Sequence, residues 1–108
     1  MRTECSVDQV RIAALHVMGI DMGDLASRAK TPPFVNRARE GVAGAMYDLS
    51  EYQPSLPELS KRLGKRHHTT VIGQLARYHR DWPPAIRRLW EQAVLKELEA
   101  TADHSEAP

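Results

Sequence analysis

Cysteine is almost absent from this chain of 108 residues: Cys5 stands alone. That excludes a disulfide framework and any cysteine-rich zinc site. Aromatics are scarce, limited to Phe34, Tyr47, Tyr52, Tyr78, Trp82 and Trp90, and runs of β-branched residues are missing. Ala, Leu, Arg and Glu dominate instead, a composition that favours helices. No apolar run approaches the ~18 residues of a membrane span, and the opening MRTECSVDQ lacks the apolar core of a secretion signal. The pattern G-x-x-x-x-G-K-[ST] is also missing, and Gly64-Lys65 alone is not a phosphate loop. The expectation is one soluble, cytoplasmic, all-helical domain with a modest core, without nucleotide, cofactor or catalytic centre.

The net charge of +1 conceals an uneven distribution. Residues 1–25 are acidic on balance, residues 26–88 hold twelve Lys/Arg against five Asp/Glu, and residues 89–108 hold one lysine against five acids. A basic block between acidic ends is what attraction to phosphates would use. A solvated helix surface that happens to be basic is the plainer alternative.

Within that block, residues 55–71 read SLPELSKRLGKRHHTTV. Ser55 and Glu58 have the spacing of a capping box, and Pro57 falls in the first turn, where a missing N–H costs nothing. Leu56, Leu59 and Leu63 mark an inward face. Gly64 then supplies the left-handed backbone of a tight turn. Arg66, His67, His68, Thr69 and Thr70 follow before apolar spacing resumes at Val71, Leu75 and Tyr78. That is the layout of a helix-turn-helix, whose second helix presents polar side chains to the DNA major groove.

The remaining segments also read as helices. Val7, Val10, Ala14, Val17 and Met18 repeat at helical spacing after a candidate N-cap, Ser6, and Gly19 ends the run. A short helix or turn is expected near residues 24–27, then a loop, RAKTPP. A helix over residues 35–49 buries Val35, Ala38, Val42, Ala45, Met46 and Leu49. Gly41, Ala43, Gly44 and Ala45 keep its middle slim enough for another helix to come close. The second helix of the turn motif should span residues 67–79, until RDWPP breaks it. A last helix over residues 84–100 places Ile86, Leu89, Trp90, Ala93, Val94 and Leu98 on one stripe, and a polar tail follows at 101–108.

From residue 7 to about residue 79 the chain resembles the C-terminal DNA-binding domain of the bacterial replication initiator DnaA. LGKRHHTTV is similar to that family's signature, an aromatic or leucine followed by Gly, Gly, Arg, Asp, His, Thr, Thr and Val. SLPEL matches the preceding helix start. Ile20 and Leu25, the basic loop, and V-x-R-x-R at Val35, Arg37 and Arg39 fall into place upstream. The resemblance implies a Trp-repressor-like helix-turn-helix bundle over residues 1–80; the amphipathic helix expected at residues 81–100 is additional to the family's pattern. It also implies duplex binding: Arg66, His67, His68 and Thr69 on base edges, and Thr70 and Lys65 beside the backbone. Leu56 and Pro57 would lie where phosphate meets a helix start, and Arg39 and Arg77 on backbone phosphates. Arg28 and Lys30 fall in the loop that the family sends into the minor groove.

Five positions depart from the family pattern. His67 replaces its aspartate, Lys65 its second glycine and Glu40 its usual glutamine, while Pro32 and Pro33 interrupt the basic loop. An altered target sequence is therefore expected. Only six residues precede the first helix, so ATP-driven origin melting is not expected of this chain. A stand-alone reader, a transcription regulator before a replication accessory factor, is the leading expectation.

Competing assignments are plainer. His67 and His68 have no supporting ligand spacing from His16, His79 or His104, so no metal site is expected. The residues 67–70 could serve only as a helix cap. The last helix could fold back on the core, or offer Ile86, Leu89, Trp90, Ala93 and Val94 to a second copy or another protein. The dimer or partner surface is the narrow preference.

Overall fold

Ser6 opens the first helix, α1 (Val7–Met18), through a reciprocal pair of bonds. Its Oγ accepts from the Gln9 N–H at 3.2 Å, and Gln9 Oε1 accepts from the Ser6 N–H at 2.8 Å, so two otherwise unpaired groups are satisfied. Gly19 closes α1 in the left-handed region, φ +72°, and its N–H reaches the carbonyls of Leu15 and His16. The computed structural model describes residues 2–26, 33–64 and 68–105, with backbone alone at 25, 26, 33–35, 68 and 102–105. Among the described residues there is no strand. After α1 come α2 (Met22–Ala26), α3 (Pro33–Leu49), α4 (Leu56–Arg62), α5 (His68–Asp81) and α6 (Pro84–Ser105).

Helix α3 is the centre of the molecule, with α1 on one side and α5 on the other, while α6 crosses α1 and touches α3. Ala38, Val42, Ala45, Met46 and Leu49 are buried as expected, Ala43, Arg39 and Glu40 are buried beside them, and the expected Val35 side chain lies outside the described residues. The slim middle of α3 does what its glycines suggest. A Cβ at Gly44 would stand 2.5 Å from Tyr78 Cγ, and one at Gly41 would stand 2.9 Å from both Met18 Cε and Trp82 Cη2. Contacts that close are sterically forbidden to a side chain, so α5 and the Trp82 corner sit against bare backbone.

Helix α2 starts two residues before its expected place, and three boundaries of the longer helices also differ from expectation. Helix α3 starts at Pro33, which its fixed φ suits to a first turn. Helix α5 runs through Asp81, stopping just short of Pro83 and Pro84. Helix α6 continues past Ala100 to Ser105 because no proline or glycine intervenes, and Thr101 Oγ1 donates back to the Glu97 carbonyl at 2.9 Å.

The last helix is also no appendage. Trp90, Val94 and Leu98 belong to the same core cluster as Val10, Met46 and Tyr78. Beside it, the N-terminal strip is pinned down: the Thr3 N–H donates to the Leu49 carbonyl at 2.8 Å, and Arg2 Nη1 donates to the Tyr47 carbonyl at 3.0 Å.

Candidate functional site

Helices α4 and α5 meet at a glycine corner. Leu59 and Leu63 are buried, and Gly64 takes φ +70° with its N–H on the Lys61 carbonyl at 3.2 Å. Ser55 caps α4 as expected, its Oγ accepting from the Glu58 N–H at 3.2 Å. The other half of the expected box does not form. Glu58 Oε1 instead accepts from Tyr52 Oη at 2.8 Å and lies 3.5 Å from Arg62 Nε.

Val71, Leu75 and Tyr78 anchor one side of α5 in the core, and Thr69 and Thr70 are left exposed at its N-terminal end. Arg66, His67, Lys65, Arg28 and Lys30 lie outside the described residues, as does the side chain of His68. Leu56 is half-buried and Pro57 exposed, on an α4 start whose Glu58 N–H is already taken by Ser55.

The two backbone arginines separate. Arg39 is only 7% exposed, and its Nε and Nη2 donate to the Asp24 carbonyl at 3.0 and 2.7 Å. It ties α2 to α3, so the arginine expected on a backbone phosphate lies largely buried between two helices. The exposed arginine of V-x-R-x-R is Arg37. Arg77 is half exposed, with Nε donating to Glu40 Oε2 at 2.9 Å. Arg80 Nε donates to Asp81 Oδ1 at 2.7 Å, and that bond, helped by the charges of Arg37 and Arg77, holds the Asp81 carboxyl below the usual range. Positive charge from the start of α3 and the end of α5 thus converges on one face.

A second charged region joins α1 to α4, around a groove of about 600 Å³ lined by Asp8, Arg11, Glu58, Lys61 and Arg62. Its charges are largely paired. Asp8 binds Arg62 at 2.5 Å and Arg11 at 3.3 Å, and Arg11 Nη1 donates to the Arg62 carbonyl at 2.9 Å. The bond from Arg62 lowers the Asp8 carboxyl and raises the guanidinium. These pairs fix where the turn motif sits on the bundle.

The expected partner stripe on α6 divides. Trp90 and Val94 are buried in the chain's own core, Ala93 is half-buried, and only Ile86 and Leu89 stand out, Leu89 at 63% exposure. Of the five residues expected on a partner surface, those two are the exposed ones. The stripe is wider than one helix face can present. Spacing also misses Trp82 and Glu40, whose contact joins positions forty-two apart: the indole Nε1 donates to Glu40 Oε1 at 3.0 Å. The only sequence signal is the departure at Glu40 itself.

His79 faces Asp48 and the Leu75 carbonyl, and His16 faces Glu97, so both are engaged elsewhere. Among the described residues no group of three or more His, Cys, Asp or Glu is placed to hold a metal, and no helix is long and apolar enough to cross a membrane. Comparison with protein-family models, with curated proteins and with solved structures finds no match to this chain.

Proposed function

We propose that the chain is a DnaA-like, Trp-repressor-like reader of double-stranded DNA that acts through α4, the Gly64 corner and α5, as a bacterial or phage-like transcription regulator. The observation that carries this reading is the division of α5. One side is committed to the core through Val71, Leu75 and Tyr78, while Thr69 and Thr70 remain exposed immediately after the glycine corner. A helix so anchored offers its first turn to a groove, as helix-turn-helix readers do. The face with Arg37, Arg77 and Arg80, the last two paired with Glu40 and Asp81, supports it by offering guanidinium donors to the phosphates. A replication accessory role uses the same surface.

The test is duplex affinity against salt, followed by selection from a random duplex pool. Neutralising about five phosphates gives a log–log slope of roughly −4 to −5. Affinity that is flat between low and physiological salt would sink the reading. In that event exposed Ile86 and Leu89 on α6 favour a protein-interaction module, and this second reading is tested by capture on the Leu89→Asp variant against the parent chain.

A further inference from the structure

We propose that Glu40 and Gly73 are positioning residues that aim the Arg77 guanidinium at a phosphodiester, an inference that rests on the duplex-binding reading above. Glu40 is a carboxylate only 7% exposed, and each oxygen has its own donor: Oε2 takes Arg77 Nε at 2.9 Å and Oε1 takes Trp82 Nε1 at 3.0 Å. Trp82 is itself buried against Gly41, so the carboxylate is clamped from both sides. Arg77 is thereby held at Nε while its Nη atoms make no hydrogen bond among the described residues.

Gly73 explains where those Nη atoms lie. A Cβ built there would meet Arg77 Nη1 at 3.4 Å and Nη2 at 3.7 Å, and the three nearest atoms all belong to that guanidinium. The fork therefore lies along α5, one turn back toward exposed Thr69 and Thr70. A glycine inside a helix costs about 1 kcal/mol relative to alanine. Gly41 and Gly44 justify that cost by close packing in the core, whereas at Gly73 the nearest neighbour is the arginine. A planar fork with two outward donors matches a phosphate edge-on. Because its charge is partly offset by Glu40, what the arrangement supplies is direction more than field. Arg37, Arg80 and Asp81 are the other charges on that face.

Charge and positioning predict opposite outcomes for Glu40→Gln. Removing a negative charge should tighten duplex binding if field alone matters. The amide leaves one oxygen for two donors, so the positioning role predicts binding about three- to tenfold weaker, the scale of one lost pre-organised side chain. Gly73→Leu fills the slot with a strong helix former, so its melting temperature should hold or rise while affinity falls by a similar factor. That loss should vanish in an Arg77→Lys background, which lacks the fork; a leucine that merely blocked DNA would act in both backgrounds.

The experiment is fluorescence anisotropy on one labelled duplex at fixed low salt, with melts of every variant. Weaker binding by each folded variant, with the Gly73 effect confined to the arginine background, is the expected result. Equal or tighter binding by either folded variant, or a Gly73→Leu loss that persists in the Arg77→Lys background, overturns the proposal while parent binding stands. If Glu40→Gln does not fold, the Gly73→Leu cycle decides alone. A parent chain without salt-dependent duplex binding overturns the underlying reading, and the positioning role with it.

Discussion

The indole Nε1 of Trp90 donates to the Gly41 carbonyl at 2.8 Å, binding α6 to the middle of α3. A carbonyl inside a helix already serves the ladder, and its second lone pair accepts the indole. Trp90→Ala removes this bond and a large buried ring, and should cost about 3–5 kcal/mol in chemical denaturation. Removing the chain after Arg80 should cost more, since Val94 and Leu98 go too. A Trp90→Ala variant as stable as the parent would mean that α6 does not hold the core.

Gly44→Ala should lower the urea midpoint. Helix propensity favours the substitution by about 1 kcal/mol, but the new methyl would stand 2.5 Å from Tyr78 Cγ. Tyr78 has little room to recoil, with its hydroxyl on Glu91 at 2.6 Å and its ring centroid 4.9 Å from that of Trp82. Overpacking of this kind costs about 1–3 kcal/mol or more. Gly73→Ala is the control, because its methyl would meet only ordinary contact and stability should hold or rise. Equal midpoints for the two variants would show that α3 and α5 are not locked at Gly44.

Local rules explain what is legible without the structure. Ser6, Gly19, Ser55 and Gly64 mark helix ends by chemistry that acts within four residues, and each is found in that role. The buried side of α5 follows from helical spacing alone. What stays hidden depends on partners far along the chain. Arg37 and Arg39 lie about 200° apart on a helix, so both cannot face the same way. Nothing short-range says that Asp24 takes the second. Trp82 lies in a proline-bearing corner with no periodicity, and its acceptor Glu40 is on another helix. Spacing presents the α6 stripe as a single surface, although residues 90, 94 and 98 turn inward and leave 86 and 89 outside. The base-facing positions of the resemblance fall mostly outside the described residues, so Thr69 and Thr70 carry the structural part of that argument.

Acidification should move stability through Glu91 and Asp8 with opposite signs. Burial pushes the Glu91 carboxyl above the usual range, and the nearby carboxylate of Asp48 adds to this against the opposing Tyr78 bond. The folded chain thus keeps that proton longer than the unfolded chain. Stability falls as pH rises from the ordinary glutamate range through the folded-state value, and stays reduced above it. Glu91→Gln keeps an acceptor for Tyr78 and should raise the urea midpoint near neutral pH, with no gain in strong acid. Asp8 is lowered by Arg62, so its contribution is present above the ordinary aspartate value and lost as pH falls through the folded one. Asp8→Asn should therefore lower the neutral-pH midpoint. A Glu91→Gln profile superimposable on the parent's would remove the buried-charge penalty from the account.

Arg39 and Thr69 should separate folding from reading. Arg39→Ala strips two charged donors from the Asp24 carbonyl and should cost about 2–3 kcal/mol of stability. Lysine should rescue it only in part, since one ammonium cannot reproduce the two-pronged grip. Corrected for the folded fraction, duplex affinity should stay near the parent value, because Arg39 is not on the surface. Thr69→Ala is the reverse case, an exposed change at the start of α5 that leaves the core untouched. It should cost about 1–3 kcal/mol on the selected site and little on random duplex. On the proposed reading, His67→Asp, which introduces the aspartate of the signature that this stretch resembles, should then shift the selected sequence toward the initiator box. Titrations on selected and random duplexes, each paired with a denaturation curve, measure both properties on the same preparations. Thr69→Ala binding the selected site as tightly as the parent would mean that α5 does not read bases through this side chain.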